Sequence, residues 1–232
     1  MHPLDNPIWQ ALTTSQAHLA KIGTSARRFP NDITSLGAFP EPSEECYRSL
    51  ASILEDDKAT GVLFDYPAEP PSGWTVLGGA PLLEMVHKNG GPGLPSNSRV
   101  PEPEIRELTV ADAPEMVALA QLTKPGPFGL RTRELGGYTG IHQNGRLAAM
   151  AGERLHVPGF TEISAVCTHP DFLGRGYAAA LMTALMKNIY GRGEVPFLHV
   201  REDNLRAIAL YERLGFTKRV LLHYRVLRRP GA

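Results

Sequence analysis

Between Glu162 and Ile189 the hydrophobic period of the chain switches from two residues to about 3.6 across a short glycine-bearing turn, which predicts strand, tight loop and helix in immediate succession. The alternation from Glu162 to Thr168 places Ile163, Ala165 and Cys167 on one face and Glu162, Ser164, Val166 and Thr168 on the other. Downstream, Ala178, Leu181, Met182, Leu185, Met186 and Ile189 recur at helical spacing, and Gly191 stands where such a helix stops. The first amides of a helix lack intrahelical acceptors and carry the positive end of the peptide dipoles, so this junction favours an anion. Gly174 and Gly176 let the backbone approach closely, and Arg175 between them can add a charge-assisted hydrogen bond.

The same reading extends over the rest of the chain. Ile105 to Leu108 predicts a strand, Thr109 and Asp112 a helix entry, and Met116, Leu119 and Ala120 a helix face. Tyr138 to Gln143 and Arg146 to Leu155 flank Asn144-Gly145, the signature of a two-residue hairpin. In the N-terminal part, Asn6-Pro7 opens a helix whose Ile8, Leu12 and Leu19 share a face, and Glu44 to Leu54 predicts another. Gly61 to Tyr66, Trp74 to Gly78 and Leu82 to His87 read as strands. Glycine, proline and serine crowd residues 89–104, which reads as a linker between residues 1–88 and residues 105–232.

Glycine turns before helices serve several phosphate ligands. The P-loop pattern fails, because Gly176 is followed by Tyr177 and Ala178 and not by lysine and a hydroxyl residue. Gly174, Gly176 and Ala179 match the dinucleotide fingerprint only loosely, and no acidic residue ends a second strand about 20 residues on. A second segment decides more. From Val195 to Leu227 the chain runs strand, Asn204, helix, closing strand, and Asn204, Ala207, Leu210, Tyr211, Leu214, Gly215 and Phe216 fill the spacing N-x-x-A-x-x-L-Y-x-x-L-G-F without a gap. Together with the HPDFLGRGYAAALM stretch, this resembles the GCN5-related N-acetyltransferase (GNAT) superfamily over about Ile105 to Leu227.

The resemblance implies an α/β (α+β) fold with a mixed, mostly antiparallel central sheet flanked by helices. It implies acetyl-CoA as co-substrate and direct transfer of its acetyl group to a primary amine of a small molecule, amino acid or peptide. The cofactor-binding residues would be Val166, Cys167, Thr168, Leu173, Gly174, Arg175, Gly176, Tyr177, Ala178, Ala179 and Asn204. Asn204 would meet the pantetheine arm, cap its helix, or do both. Backbone amides of Val166 and Thr168 would hold the thioester carbonyl, and the arm would insert like an added strand. Leu173 departs from the superfamily's loop, which usually carries Arg or Gln there.

Because an alkyl ammonium is almost wholly protonated near neutral pH, a base must free the amine. By similarity Glu162 is the first candidate, with Glu153 and His156 on the preceding strand as others; a solvent-facing strand residue is the alternative reading of Glu162. Tyr211 would donate to the departing thiolate, or would be a core aromatic of its helix. Cys167 is read as a small buried hydrophobe and not as a nucleophile. The helices-then-strands order of residues 1–88 resembles a degenerate acetyltransferase-like half, as in the glycine N-acyltransferase-like branch. It has no glycine turn before an amphipathic helix, so it is expected to shape the acceptor pocket without binding CoA.

Composition narrows the partners. The 232 residues carry 24 Lys plus Arg against 24 Asp plus Glu, so no electrostatic footprint for a nucleic acid is expected. Two cysteines and eight scattered histidines give neither a disulfide framework nor metal-ligand spacing. No apolar leader or membrane-length run is visible, which suggests a cytoplasmic monomer or homodimer. Arg201, Arg206, Arg213, Lys218 and Arg219 form a basic stretch that either meets CoA phosphates or is a solvated face. The loop Pro125-Gly126-Pro127-Phe128 reads as a lid or a rigid turn. The competing functional reading is a catalytically inactive acetyl-CoA-binding sensor.

Overall fold

The computed structural model describes residues 2–55, 58–88 and 103–231. Most of the predicted linker, residues 89–102, lies outside them. The N-terminal part contains α1 (Pro7–Thr13), a small antiparallel sheet of β1 (Lys21–Ile22), β2 (Arg27–Arg28) and β3 (Gly37–Ala38), then α2 (Glu44–Ser52), β4 (Ala59–Phe64) and β5 (Thr75–His87). There follow β6 (Arg106–Glu107), α3 (Ala113–Thr123), β7 (Tyr138–Gln143), β8 (Arg146–Val157), β9 (Phe160–Thr168), α4 (Tyr177–Gly191), β10 (Val195–Arg201), α5 (Leu205–Arg213) and β11 (Phe216–Arg228). The large sheet has the order β4-β11-β5-β10-β9-β8-β7-β6 and is antiparallel except where β10 meets β9. This is the mixed, mostly antiparallel, helix-flanked sheet expected from the sequence.

Local chemistry accounts for the element ends. Thr109 accepts from the Ala111 amide at 3.3 Å while its own amide donates to the Asp112 carboxylate at 2.7 Å, a reciprocal cap that leads into α3. Asn144 and Gly145 take φ 55° and 75°, the left-handed pair that closes the β7–β8 hairpin. In α1, however, the helix ends at Thr13, and Leu19 sits on a separate 3-10 turn (Ala17–Leu19). Thr13 and Thr14 bond back to Trp9 and Gln10 carbonyls through their hydroxyls, which competes with helix continuation.

The segments predicted from Trp74 to Gly78 and from Leu82 to His87 merge into one strand that begins at Thr75. Gly79 permits the merger, because a Cβ there would stand 2.2 Å from the Tyr224 carbonyl oxygen of β11. The strand β5 is seated between β10 and β11, so the central sheet takes strands from both sides of residues 89–104.

The sheet separates two packed layers. On one face Leu181, Met182, Leu185, Met186 and Ile189 of α4 bury against Ile141, Ala149, Ala151, Ile163 and Leu198; each such side chain contributes roughly 1.5–3 kcal/mol. On the other face Met116 and Leu119 of α3 meet Met150, Ala165 and Cys167, while Ile8, Ala11 and Leu12 of α1 meet Leu155, Val157 and Phe197.

The single face expected for Ile163, Ala165 and Cys167 is therefore corrected. Ala165 adopts φ 53°, and the β8–β9 register slips between the Gly152–Ser164 and Met150–Cys167 pairs. This bulge turns Ala165 and Cys167 toward α3 while Ile163 stays beneath α4.

Candidate active site

The turn before α4 has the geometry of an anion cradle. Gly174 and Gly176 take φ 78° and 77°, and no side chain caps the helix start. A Cβ at either glycine would meet nothing within 4 Å, so left-handed backbone, and not crowding, is what calls for glycine here. The Arg175 guanidinium rests 5.1 Å over the Phe172 ring, and Leu173 lies half-exposed beside it.

This turn forms one wall of a cavity of about 910 Å³. Its course follows from strand geometry. β9 and β10 pair only over Phe160–Glu162 and Val195–Phe197. Beyond those residues the cavity is lined from one side by Ile163 to Thr168 and from the other by His199 to Arg201, so it occupies the opening between the two strands. Unpaired strand edges facing a cavity offer backbone donors and acceptors to an extended ligand.

Val166, Cys167, Thr168, Leu173, Gly174, Arg175, Gly176, Tyr177, Ala178, Ala179, Asn204 and Tyr211 all line this cavity. Asn204 also caps α5, its Oδ1 accepting from the Ala207 amide at 3.2 Å. Tyr211 is buried, and burial pushes its phenol up to about 12, so it stays a neutral donor at physiological pH. Cys167 is buried as well, and burial raises its thiol to about 11, the condition of an unreactive cysteine.

The basic stretch divides. Arg201, Arg206 and Arg213 line the cavity, whereas Arg219 turns to Glu84 and Asp5. At the opposite end the wall comes from Ile8, Leu36, Leu63, Leu82, Leu155, Tyr224 and the loop Lys124 to Pro127.

Glu162 is not on the wall. It is fully buried, which overturns the solvent-facing reading. Arg154 donates Nε to its Oε2 at 2.8 Å and Nη2 to its Oε1 at 2.6 Å, and His199 Nδ1 lies 2.7 Å from the same Oε1. Burial alone would raise this carboxyl, but the positive charges of Arg154 and His199 outweigh it and hold the group down to about 2.

His199 lies between two sealed carboxylates, with Nε2 3.4 Å from Glu84. Burial would lower its imidazole, yet Glu162 and Glu84 raise it to about 9, so it is an imidazolium at neutral pH. Glu84 in turn accepts from Arg219 at 2.9 Å. The other two base candidates lie off the wall: Glu153 pairs with Arg192 at 3.0 Å, and His156 Nδ1 is 3.2 Å from the Thr161 hydroxyl.

Arg154, His199, Glu84 and Tyr224 were not singled out from the sequence. The usable signal was charge inside apolar strands, as in Leu82-Leu83-Glu84-Met85-Val86 and Phe197-Leu198-His199-Val200.

Comparison with known proteins is consistent with this arrangement. Residues 138–226 match the model of the FR47-like protein family. The N-alpha-acetyltransferase RimI of Mycobacterium tuberculosis is 38% identical over 139 residues, 55% of this chain and 86% of that protein. A crystal structure of a GNAT-family protein from Novosphingobium aromaticivorans is 37% identical, covers 99% of each chain and superposes with a TM-score of 0.87. The chain belongs to the GNAT family of acetyltransferases. A GCN5-related N-acetyltransferase from Kribbella flavida, 17% identical, shares the fold over 96% of both chains at a TM-score of 0.60. Membership in the GNAT family makes acetyl-CoA the expected acyl donor. Among the described residues no helix is long and apolar enough to cross a membrane.

Proposed function

We propose that the protein acetylates a primary amine of a small molecule, amino acid or peptide. The observation that carries this reading is the single cavity that joins the α4 cradle, the opened β9–β10 edges and Tyr211. In this reading Gly174 to Ala179 hold the pyrophosphate through backbone amides, with Arg175, Arg206 and Arg213 supplying charge, while Arg201 is already paired with Asp203. Val166, Thr168 and Asn204 hold the extended arm. The thioester supplies an acyl carbon activated toward amines. Attack forms the C–N bond, the C–S bond breaks, and sulfur leaves as a thiolate while the nitrogen gives its second proton to water in the cavity.

Tyr211 donates a hydrogen bond to that sulfur. Full proton transfer from a phenol near 12 to a thiolate of ordinary pKa, about 8.5, is uphill, so stabilisation by the hydrogen bond is its contribution. Glu162 holds Arg154 in place, since a sealed, doubly paired carboxylate is a weak proton acceptor. No carboxylate lines the cavity among the described residues, so in this reading water takes the proton that the ammonium must lose before attack.

That same absence of a lining base favours the second reading, an acetyl-CoA-binding sensor. We further propose that residues 1–88 form part of the acceptor wall and that the chain falls in the glycine N-acyltransferase-like branch, although β1, β2 and β3 stand between α1 and α2 where helices followed by strands were expected. The test is thermal melting with acetyl-CoA, CoA, ATP and NAD in parallel, followed by thiol release with an amine panel. Stabilisation by the CoA forms with amine-dependent thiol release supports the transferase; stabilisation without release supports the sensor; stabilisation by ATP or NAD alone overturns both.

A further inference from the structure

We infer that the acceptor end of the cavity is an anion subsite, built on Arg154 and Lys124, that selects amines carrying a carboxylate. The inference rests on the transferase reading and names its acceptor class. Arg154 spends Nε and Nη2 on Glu162, and its remaining nitrogen, Nη1, makes no hydrogen bond among the described residues. That nitrogen faces the loop after α3: a Cβ on Gly126 would stand 3.9 Å from it. Lys124, two residues earlier, lines the same cavity and has no ion pair among the described residues.

The charge balance at this end is one-sided. Glu162 and Glu84, the acids of the buried network, are both fully sealed. The ionised side chains that reach the cavity are cations, and no Asp or Glu lines it among the described residues. A ligand with a second ammonium group would be desolvated against guanidinium and ammonium, whereas a carboxylate would find charge-assisted donors already fixed by Glu162. The remaining wall is apolar at Ile8, Leu36, Leu63, Leu82 and Leu155, with Tyr224 adding one phenol. An amino acid with an apolar side chain therefore matches the subsite, and a diamine does not.

Matched acceptors test this in the full chain: leucine against 3-methylbutylamine and phenylalanine against phenethylamine, with putrescine as the dication, each followed by thiol release from acetyl-CoA. The carboxylate members should exceed their decarboxylated partners by at least about 100-fold in kcat/KM, because a site that pairs a charged group rejects the analogue lacking it. Lys124→Gln should narrow that ratio about fivefold or more; as a rim substitution it spares the Arg154–Glu162 pair, whereas Arg154 variants risk misfolding. Melting of the CoA-bound chain with N-acetylleucine against N-(3-methylbutyl)acetamide reads the subsite without turnover, and stabilisation by the acid alone supports it.

Equal use of paired acceptors, or preference for putrescine, would overturn the subsite while leaving the transferase intact. Thiol release from no acceptor, with no melting shift from acetyl-CoA, would strike the underlying reading and the subsite with it.

Discussion

Arg154 and Glu162 meet through two parallel hydrogen bonds of 2.8 and 2.6 Å at the boundary where β9 parts from β10. The Arg154 side chain is largely buried and lines the cavity, and the carboxylate is sealed. Burial would lower the basicity of Arg154, but the adjacent Glu162 charge more than reverses this. The pair thus presents one fixed positive edge to the ligand. Breaking it leaves a buried charge without compensation. Glu162→Met should cost about 3–5 kcal/mol in urea unfolding, and Arg154→Met together with Glu162→Met should recover much of that loss. The double variant should still be stabilised by acetyl-CoA yet lose its preference for amines that carry a carboxylate.

His199 gives the fold a signed pH dependence. Its imidazole is raised to about 9 in the folded chain, against about 6.5 when unfolded. Its contribution is fully present below pH 6.5 and is lost as pH rises through 9. Between those values stability should fall by up to about 1.4 kcal/mol per pH unit, about 3 °C in melting temperature for a chain of this size. Glu162 works the other way, its contribution present above about 4.5 and lost as pH falls toward 2. Melting scans from pH 5 to 10 should show the alkaline decline in the parent chain and a flatter profile in His199→Gln; parallel profiles would contradict the imidazolium assignment.

Tyr211→Phe removes one oxygen from a buried ring that packs against Phe216 at 6.2 Å. If the hydroxyl stabilises the departing sulfur, kcat should fall by about 100-fold with KM for acetyl-CoA nearly unchanged. Melting temperature should move little. An equal fall in stability with unchanged kcat would make Tyr211 a core residue only.

The cradle and the Asn204–Phe216 stretch were legible because both are local: period, glycine and cap lie within a few residues of one another. The Ala165 bulge was not, since a left-handed alanine in a strand is set by packing on both faces and not by its own propensity. The ion network was hidden for a different reason. Glu84, Arg154, Glu162 and His199 come from four strands, and only strand order makes them neighbours. Burial of Glu162 was likewise unreadable, because the charges that make it tolerable lie 8 and 37 residues away in sequence.

The position of β5 can be tested by two adjacent glycines. Gly79 lies against the Tyr224 backbone, with no room for a Cβ, whereas a Cβ on Gly78 would meet nothing within 4 Å. Gly79→Val should therefore push β5 off β11 and destabilise the chain by about 3 kcal/mol or more. Gly78→Val should be neutral or mildly stabilising, since valine favours extended backbone and glycine loses more entropy on folding. Urea unfolding of both variants gives the comparison. Because β5 also pairs with β10, which lines the cavity, Gly79→Val should weaken stabilisation by acetyl-CoA as well. Equal tolerance at both positions would mean that residues 1–88 fold beside the acetyltransferase sheet and not within it.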